Sequence, residues 1–249
     1  MFYGVAMEPD TVRRTAIVTG GSRGLGLALA RALNRAGWLV VIDGRDGDAL
    51  AAAAAQTGSV PVRGDIGDPG HRALLVDTAR TMTGRLDLVV NNAGTLGATP
   101  LPQLAGYPLG ALADAFTVNV VSPIGLIQSA LPLLRAAAGA VVNVTSDAAV
   151  EAYPGWGGYG ATKAALEQAS RVLGAEEPLV RVWWFDPGDM RTAMHQAAFP
   201  GEDISDRPDP DTVAPCILDL LARRPPSGRV RASDLAAGGL PVDSAGVAR

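Results

Sequence analysis

Tyr159 and Lys163 stand four residues apart, and the run from Gly160 to Gly174 has helical period. Four residues is just over one helical turn, so the two side chains share a face. A phenol with its ordinary pKa near 10 exchanges protons poorly at neutral pH. An ammonium beside it favours the phenolate and lowers that value, each unit being worth about 1.4 kcal/mol. The spacing therefore offers acid–base chemistry, a phenol tuned by an amine. Lys163 is also the only lysine, since 20 of the 21 basic residues are arginine. A codon bias against lysine explains the count. Even so, the one lysine retained belongs where a planar guanidinium cannot replace a compact ammonium. Taken alone, Tyr159 reads more simply as an amphipathic residue opening a helix.

A second segment with chemistry is Thr19-Gly20-Gly21-Ser22-Arg23-Gly24-Leu25-Gly26. It joins the short β-branched run Thr15–Thr19 to Leu25–Ala36, where Leu25, Leu29 and Leu33 fall at helical spacing. Glycines let the backbone turn tightly and approach a pyrophosphate. A helix N-terminus adds free N–H groups and the positive end of a dipole. In this strand–turn–helix context the loop reads as a dinucleotide cradle, with a purely structural turn as the plainer alternative.

The elements that must position these groups alternate. Strand-length apolar runs are Thr15–Thr19, Trp38–Ile42, Ser59–Arg63, Leu86–Val90, Ala140–Thr145, Val180–Phe185 and Gly228–Ala232. Between them lie helical segments: Asp46–Gln56, Asp68–Gly84, one or two helices over Tyr107–Arg135, Gly160–Gly174 and Thr212–Arg224. Pro69 in a first turn and Gly84 at an end mark helix bounds. Strands apolar on both faces, separated by helices, predict a parallel sheet covered on both sides. The expectation is one doubly wound α/β domain of about seven strands spanning 1–249, with an N-terminal extension (1–12) and a tail (238–249). Pro, Gly and acidic residues over 188–211 predict a mobile substrate loop, with a short helix near Met194–Ala198.

With its motifs in order, the sequence resembles the short-chain dehydrogenase/reductase family over roughly residues 13–232. Thr19–Gly26 is similar to the family's TGxxxGxG loop, and Asn91-Asn92-Ala93-Gly94 to its NNAG. Asn119 lies in a Val-Asn-Val context, and Ser146 ends the fifth strand. Tyr159–Lys163 matches YxxxK, and Pro187-Gly188 with Thr192 the PG…T segment. The resemblance implies a Rossmann-like fold and a catalytic set of Asn119, Ser146, Tyr159 and Lys163. Tyr159 would give a proton to a carbonyl oxygen, or take one in reverse, as hydride passes between nicotinamide and carbon. Lys163 would also bind the nicotinamide ribose, Ser146 would hold the substrate oxygen, and Asn119 would fix a water linking Lys163 to solvent. For the cofactor it implies Gly20, Ser22, Arg23, Gly24, Leu25 and Gly26 at the phosphates and Asp65 and Ile66 at the adenine. Asn92, Ala93 and Gly94 would pass the adenosine ribose. Pro187, Gly188, Met190 and Thr192 would surround the nicotinamide amide. Asp65 could equally belong to the helix cap near Asp68. Where the family more usually has Asn before the PG segment, this chain has Trp183, read with Trp184 as packing.

Cofactor choice turns on the end of the second strand. Asp43 lies there, but the family register puts the discriminating carboxylate one position later, at Gly44. A one-residue shift points a strand side chain elsewhere. Arg45 follows, and with Arg23 it would suit a 2′-phosphate. The expectation is NADP(H), with NAD(H) as the lesser alternative and Arg45 as a plain solvated charge the bland one.

The substrate pocket is expected from Leu96–Thr99, Asp147–Trp156 and 188–206, with Tyr153, Trp156, Met194 and Phe199 as flat apolar walls. These suit a cyclic or aromatic ketone or alcohol. Asp147 and Glu151 are read as facing solvent, His195 as incidental, His71 as a helix-surface residue and Cys216 as packing within a helix. No cluster of His, Cys or carboxylates supports a metal or hydrolase site. A net charge of −4 argues against nucleic-acid or anionic-membrane partners. One cysteine excludes an internal disulfide. With no long apolar run and no signal-like start, a cytoplasmic location is expected. The resulting reading is an NADP(H)-dependent carbonyl reductase or alcohol dehydrogenase, expected by resemblance to be a homodimer or homotetramer. The rival readings are an NADP(H)-binding regulator without catalysis, and an epimerase or dehydratase on the same fold.

Overall fold

The computed structural model describes residues 13–238. The expected extension (1–12) and the tail beyond Gly238 lie outside the described residues. Short β-branched runs form strands because such side chains fit a pleated, buried surface. The strands are β1 (Thr15–Val18), β2 (Leu39–Gly44), β3 (Val60–Arg63), β4 (Leu88–Asn91), β5 (Ala140–Val144), β6 (Arg181–Asp186) and β7 (Gly228–Arg231). All pair in parallel, in the order β3-β2-β1-β4-β5-β6-β7.

Alternate residues of the same strands feed two cores. Ala16, Val18, Val40, Ile42, Leu88, Val90, Trp183 and Phe185 face one side. There they meet α1 (Gly24–Arg35), α2 (Gly47–Thr57), α8 (Pro210–Val213), α9 (Pro215–Arg223) and α10 (Ala232–Ala236). Ile17, Val41, Val89, Val141 and Val182 face the other side. That side is covered by α3 (Pro69–Thr83) and α5 (Ser122–Ala136). α6 (Gly157–Glu176) packs along β6, and α7 (Ala193–Ala198) is the short helix within the stretch expected as a loop. The sheet is the expected doubly wound α/β arrangement. Between β1 and β4 the chain reverses its winding, so the crevice beyond their carboxyl ends is open to a ligand.

Caps follow sequence. Asp46 accepts from the Ala49 N–H at 3.1 Å and opens α2. Asp68 accepts from the Gly70 N–H at 3.0 Å and opens α3. Three readings need correction. Residues 212–224 are not one helix; α8 ends at Val213 and α9 begins at Pro215, which cannot give a helix interior its N–H. His71 is buried rather than on a helix surface, because its ring reaches under β2 to Asp43 at 3.0 Å. The third concerns length. α4 (Leu109–Phe116), a π-helical turn (Thr117–Val121) and α5 make a continuous 28-residue helix, long and apolar enough to cross a membrane by length and composition. Its apolar content has a packing reason, since Leu126, Ile127, Ala130 and Leu134 lie in the core.

Trp183 and Trp184 are both buried, as packing residues should be. The Trp183 ring is fully enclosed, and its Nε1–H donates to Pro225 O at 3.3 Å and Pro226 O at 3.2 Å. Trp183→Ala should cost about 3–5 kcal/mol, the range for emptying an aromatic core site. Urea unfolding followed by circular dichroism checks this; a loss below about 1 kcal/mol would show that the site is loosely packed.

Candidate active site

The phosphate loop is shaped by steric necessity. Gly20 has φ +65°, a conformation that side chains rarely adopt. A Cβ on Gly26 would lie 2.3 Å from the Gly20 carbonyl oxygen and 2.6 Å from Asn92 Nδ2, so only glycine lets α1 come this close. Asn92 in turn donates to Thr19 O at 2.8 Å and ties the loop to the end of β4. Arg23 sits at the N-cap of α1 without a capping side-chain bond, and the first turn holds no acid. The helix therefore presents its N-terminal N–H groups to the crevice, an anion-binding arrangement. Gly20, Ser22, Arg23, Gly24, Leu25, Asn92, Ala93 and Gly94 line one cavity of about 800 Å³ with Asp65, Ile66, Tyr159, Lys163, Pro187, Gly188, Met190 and Thr192. Gly26 and Asn91 are behind its wall. A dinucleotide fits this cradle: glycines that permit close backbone approach, then a helix terminus with unpaired donors.

At the adenosine end, Asp43 is only 2% exposed. Its Oδ1 accepts from the Gly20 N–H at 2.6 Å and its Oδ2 contacts His71 Nε2 at 3.0 Å. The carboxylate thus holds the phosphate loop, and Asp43 is also part of the cavity's lining. Gly44 is the position whose side chain would face the crevice, since a Cβ there would meet Ser22 Oγ at 3.2 Å. Arg45 lines the cavity, is exposed, and its guanidinium has no hydrogen bond or ion pair among the described residues. Arg23 differs from expectation. It is paired with Asp46, the cap of α2, and does not converge freely with Arg45. Asp65 bonds its own turn through Gly67 N at 2.8 Å, while Asp68 caps the helix.

Tyr159 and Lys163 share the inner face of α6, and both are buried. The ammonium lies 5.4 Å from the Tyr159 ring centre and donates to Val144 O at 2.8 Å. Burial lowers the Lys163 pKa to about 8, with Glu167 opposing. Tyr159 reverses the sequence expectation. Burial, then Asp186 and Asp147, push its phenol well above the ordinary range. Burial and the two carboxylates together keep the proton on the phenol. The Tyr159 hydroxyl has no hydrogen-bond partner among the described residues, though it lies at the cavity. Ser146 is half-buried beside it, donating from Oγ to Asp147 Oδ1 at 2.9 Å.

Asn119 sits in the π-helical turn. Its amide bonds Thr95 N at 2.9 Å, Thr95 O at 2.8 Å and Thr162 Oγ1 at 2.9 Å. The side chain is therefore committed to bracing β4's loop against α6, and any water link to Lys163 falls to the main-chain carbonyl. Pro123, four residues on, has no N–H to give that carbonyl its ordinary helical partner.

The substrate end is walled by Leu96, Gly97, Trp156, Met194, His195 and Ala198. Tyr153 and Phe199 do not line it. Phe199 backs Trp156 with ring centres 5.8 Å apart, and Tyr153 donates to Asp147 at 3.0 Å. Asp147 is exposed as expected, yet it also holds Ser146 and lines the cavity. His195 is part of the wall, its Nδ1 3.6 Å from Asp189. Thr145, Thr162, Glu167, Asp186 and Arg229 support the site without having been singled out in sequence. The spacing of Glu167, one turn after Lys163, was the one available signal.

Fold and site define a dinucleotide-dependent oxidoreductase, and known proteins agree. Residues 14–203 match the model of the short chain dehydrogenase family. The chain is 36% identical over 173 residues to the rhamnolipids-biosynthesis 3-oxoacyl-acyl-carrier-protein reductase of Pseudomonas aeruginosa, covering 66% of each. It is 33% identical over 203 residues to sepiapterin reductase of Bos taurus, covering 75% of this chain and 76% of that one. A short-chain dehydrogenase of Shigella flexneri, solved in complex with NADP, has a TM-score of 0.81 at 29% identity, covering 91% of this chain and all of that one. The protein belongs to the short-chain dehydrogenase/reductase family and is an NAD(P)-dependent oxidoreductase with a Rossmann-like fold.

The buried ammonium carries a stability cost. Lowering a pKa from 10.5 to about 8 costs about 3 kcal/mol while the amine is charged. That cost is fully present below pH 8 and is relieved as pH rises to the unfolded value, because there the unfolded state binds more protons. Lys163→Met should therefore stabilise the fold at neutral pH by about 1–3 kcal/mol, and by progressively less towards pH 10.5. Urea midpoints across that pH range check it; a Met variant less stable than the parent at neutral pH would refute the assignment of cost.

Proposed function

We propose that the protein is an NADP(H)-dependent carbonyl reductase or alcohol dehydrogenase. One observation carries the reading. A buried phenol that keeps its proton, its hydroxyl unpartnered among the described residues, shares a cavity with the glycine-rich helix terminus. Such a group is poised to donate to an oxygen that becomes negative. The bound nicotinamide supplies the hydride. Ser146 orients the carbonyl oxygen by its hydroxyl, turning from Asp147. Tyr159 gives that oxygen its proton. The Lys163 ammonium, still charged at neutral pH, offsets the phenolate left behind and donates to the ribose hydroxyls. Asn119 holds the helix in which this proton path is set.

The preference for NADP(H) rests on Asp43 and Arg45. Asp43 spends one acceptor site of each oxygen on the Gly20 N–H and on His71, which leaves it less available to a ribose diol than an unpartnered carboxylate. Arg45 is free to meet a 2′-phosphate. The substrate proposed is a cyclic or aromatic ketone against Trp156, Leu96 and Met194. Asp114, Asp147 and Asp189 line this end, with no arginine there, so carboxylate-bearing ketones should be disfavoured. A homo-oligomer is also proposed. Leu109, Val121 and Val172 are exposed at 77%, 55% and 44% on the helical faces of α4, the π turn and α6, apolar area that a second copy would cover.

A panel of neutral and anionic ketones, followed by NADPH absorbance, tests the reading. Neutral cyclic ketones should turn over best, and Tyr159→Phe should lose nearly all turnover while binding NADPH within a few-fold. Variant turnover within ten-fold of the parent would remove Tyr159 as the acid. Arg45→Ala should weaken NADPH by about 1–3 kcal/mol, the range for a charge-assisted bond, and leave NADH nearly unchanged. Fluorescence titration measures both; equal losses would make Arg45 structural.

A further inference from the structure

Behind the cavity lies a buried ionic group that the reaction as described does not use. Arg229 on β7 is only 8% exposed. Its Nε donates to Glu167 Oε1 at 3.0 Å, and its Nη2 to Asp186 Oδ2 at 3.0 Å and to the main-chain carbonyl of Ser146 at 3.2 Å. Each partner leads to the site. Glu167 lies one turn after Lys163 and also accepts from Thr145 Oγ1 at 2.8 Å. Asp186 ends β6, and its other oxygen accepts from the Gly188 N–H at 3.0 Å. One planar fork thus ties the ends of β5 and β6 to α6. Buried ion clusters add little stability, because the desolvation of each charge offsets the attraction. Hydrophobic packing would hold these elements together as well, but it would not fix the Ser146 carbonyl or the local charge.

We propose that Arg229 is a positioning residue for the reaction: it fixes Ser146, α6 and the Asp186–Gly188 turn relative to one another, and it balances the carboxylates that face Lys163 and Tyr159. This rests on the reductase reading for its catalytic consequence, but not for its electrostatic one. The charged groups acting on the Lys163–Tyr159 pair are Glu167 on α6, Asp186 on β6 and Asp147 after β5, and Arg229 on β7 is bonded to the first two. Removing the Glu167 charge leaves the ammonium less favoured, so Lys163 should lose its proton at lower pH. Removing the Arg229 charge leaves Glu167 and Asp186 uncompensated, so Lys163 should hold its proton to higher pH. Loss of packing alone predicts no such opposition.

Because Lys163 is the only lysine, a lysine labelled with 13C at Cε gives a single side-chain resonance whose pH titration reports this group directly. The parent midpoint is expected near 8. Glu167→Gln should move it down and Arg229→Gln up, each by at least about 0.5 pH unit. The alkaline limb of kcat for ketone reduction should move the same way. The double variant Arg229→Met/Glu167→Gln removes one charge of each sign. It should restore the midpoint to within about 0.3 unit, yet keep kcat at least ten-fold below the parent, because the Ser146 carbonyl has lost its donor. If Arg229→Gln does not fold, the charge-balanced double variant decides the matter. Single-variant midpoints that stay fixed or move together, or a double variant with parental kcat, would overturn the proposal. A parent that reduces no ketone but whose Lys163 resonance shifts as described would defeat the reductase reading alone.

Discussion

The burial of one ammonium beside one phenol is the constraint around which the rest is arranged. Lys163 is taken out of water at a cost of about 3 kcal/mol and remains charged at neutral pH, with neighbours that favour its charge. The Val144 carbonyl accepts a hydrogen bond from it, and Glu167 favours its charge from a turn away. Glu167 cannot stand alone in that interior either, and Arg229 answers it. Buried charges call for buried partners, and the chain of partners runs from α6 through β7 to β6.

The phosphate loop is organised by the same rule applied to a neutral backbone. The Gly20 N–H turns away from the crevice and is satisfied by Asp43, which His71 in turn supports from α3. The acid at the end of β2 is thereby engaged in holding the loop. Beside it on the cavity wall stand Gly44 and the exposed Arg45.

The long helix over 109–136 shows how a local defect serves a distant group. Pro123 removes one donor, the ladder widens over Thr117–Val121, and Asn119 is carried there. Its amide then locks the Thr95 backbone and Thr162 with three bonds. The bracing ties the loop after β4 to the helix bearing Tyr159 and Lys163.

Much of this was legible in the chain. Strand-length apolar runs, the glycine loop and the Tyr159–Lys163 spacing are local patterns, and each follows from the period of its element or from backbone sterics. The helix cap near Asp68 was equally local. What sequence left open depends on burial and on which strand neighbours which. His71 looked like a surface residue because helix period does not reveal that α3 lies under Asp43. Thr212–Arg224 looked continuous because the pattern ignores the N–H that Pro215 lacks. The phenol's pKa moved up, against expectation, because the spacing showed the nearby ammonium but not the desolvation and the carboxylates of Asp147 and Asp186. Arg229 carried no signal at all: it lies 62 residues from Glu167, and only the parallel order of β5, β6 and β7 brings them together. Sequence determines the reactive groups and the elements that bear them, since both are set by near neighbours. Tertiary structure alone decides their charge states and their supports, because these depend on solvent exclusion and on contacts between distant segments.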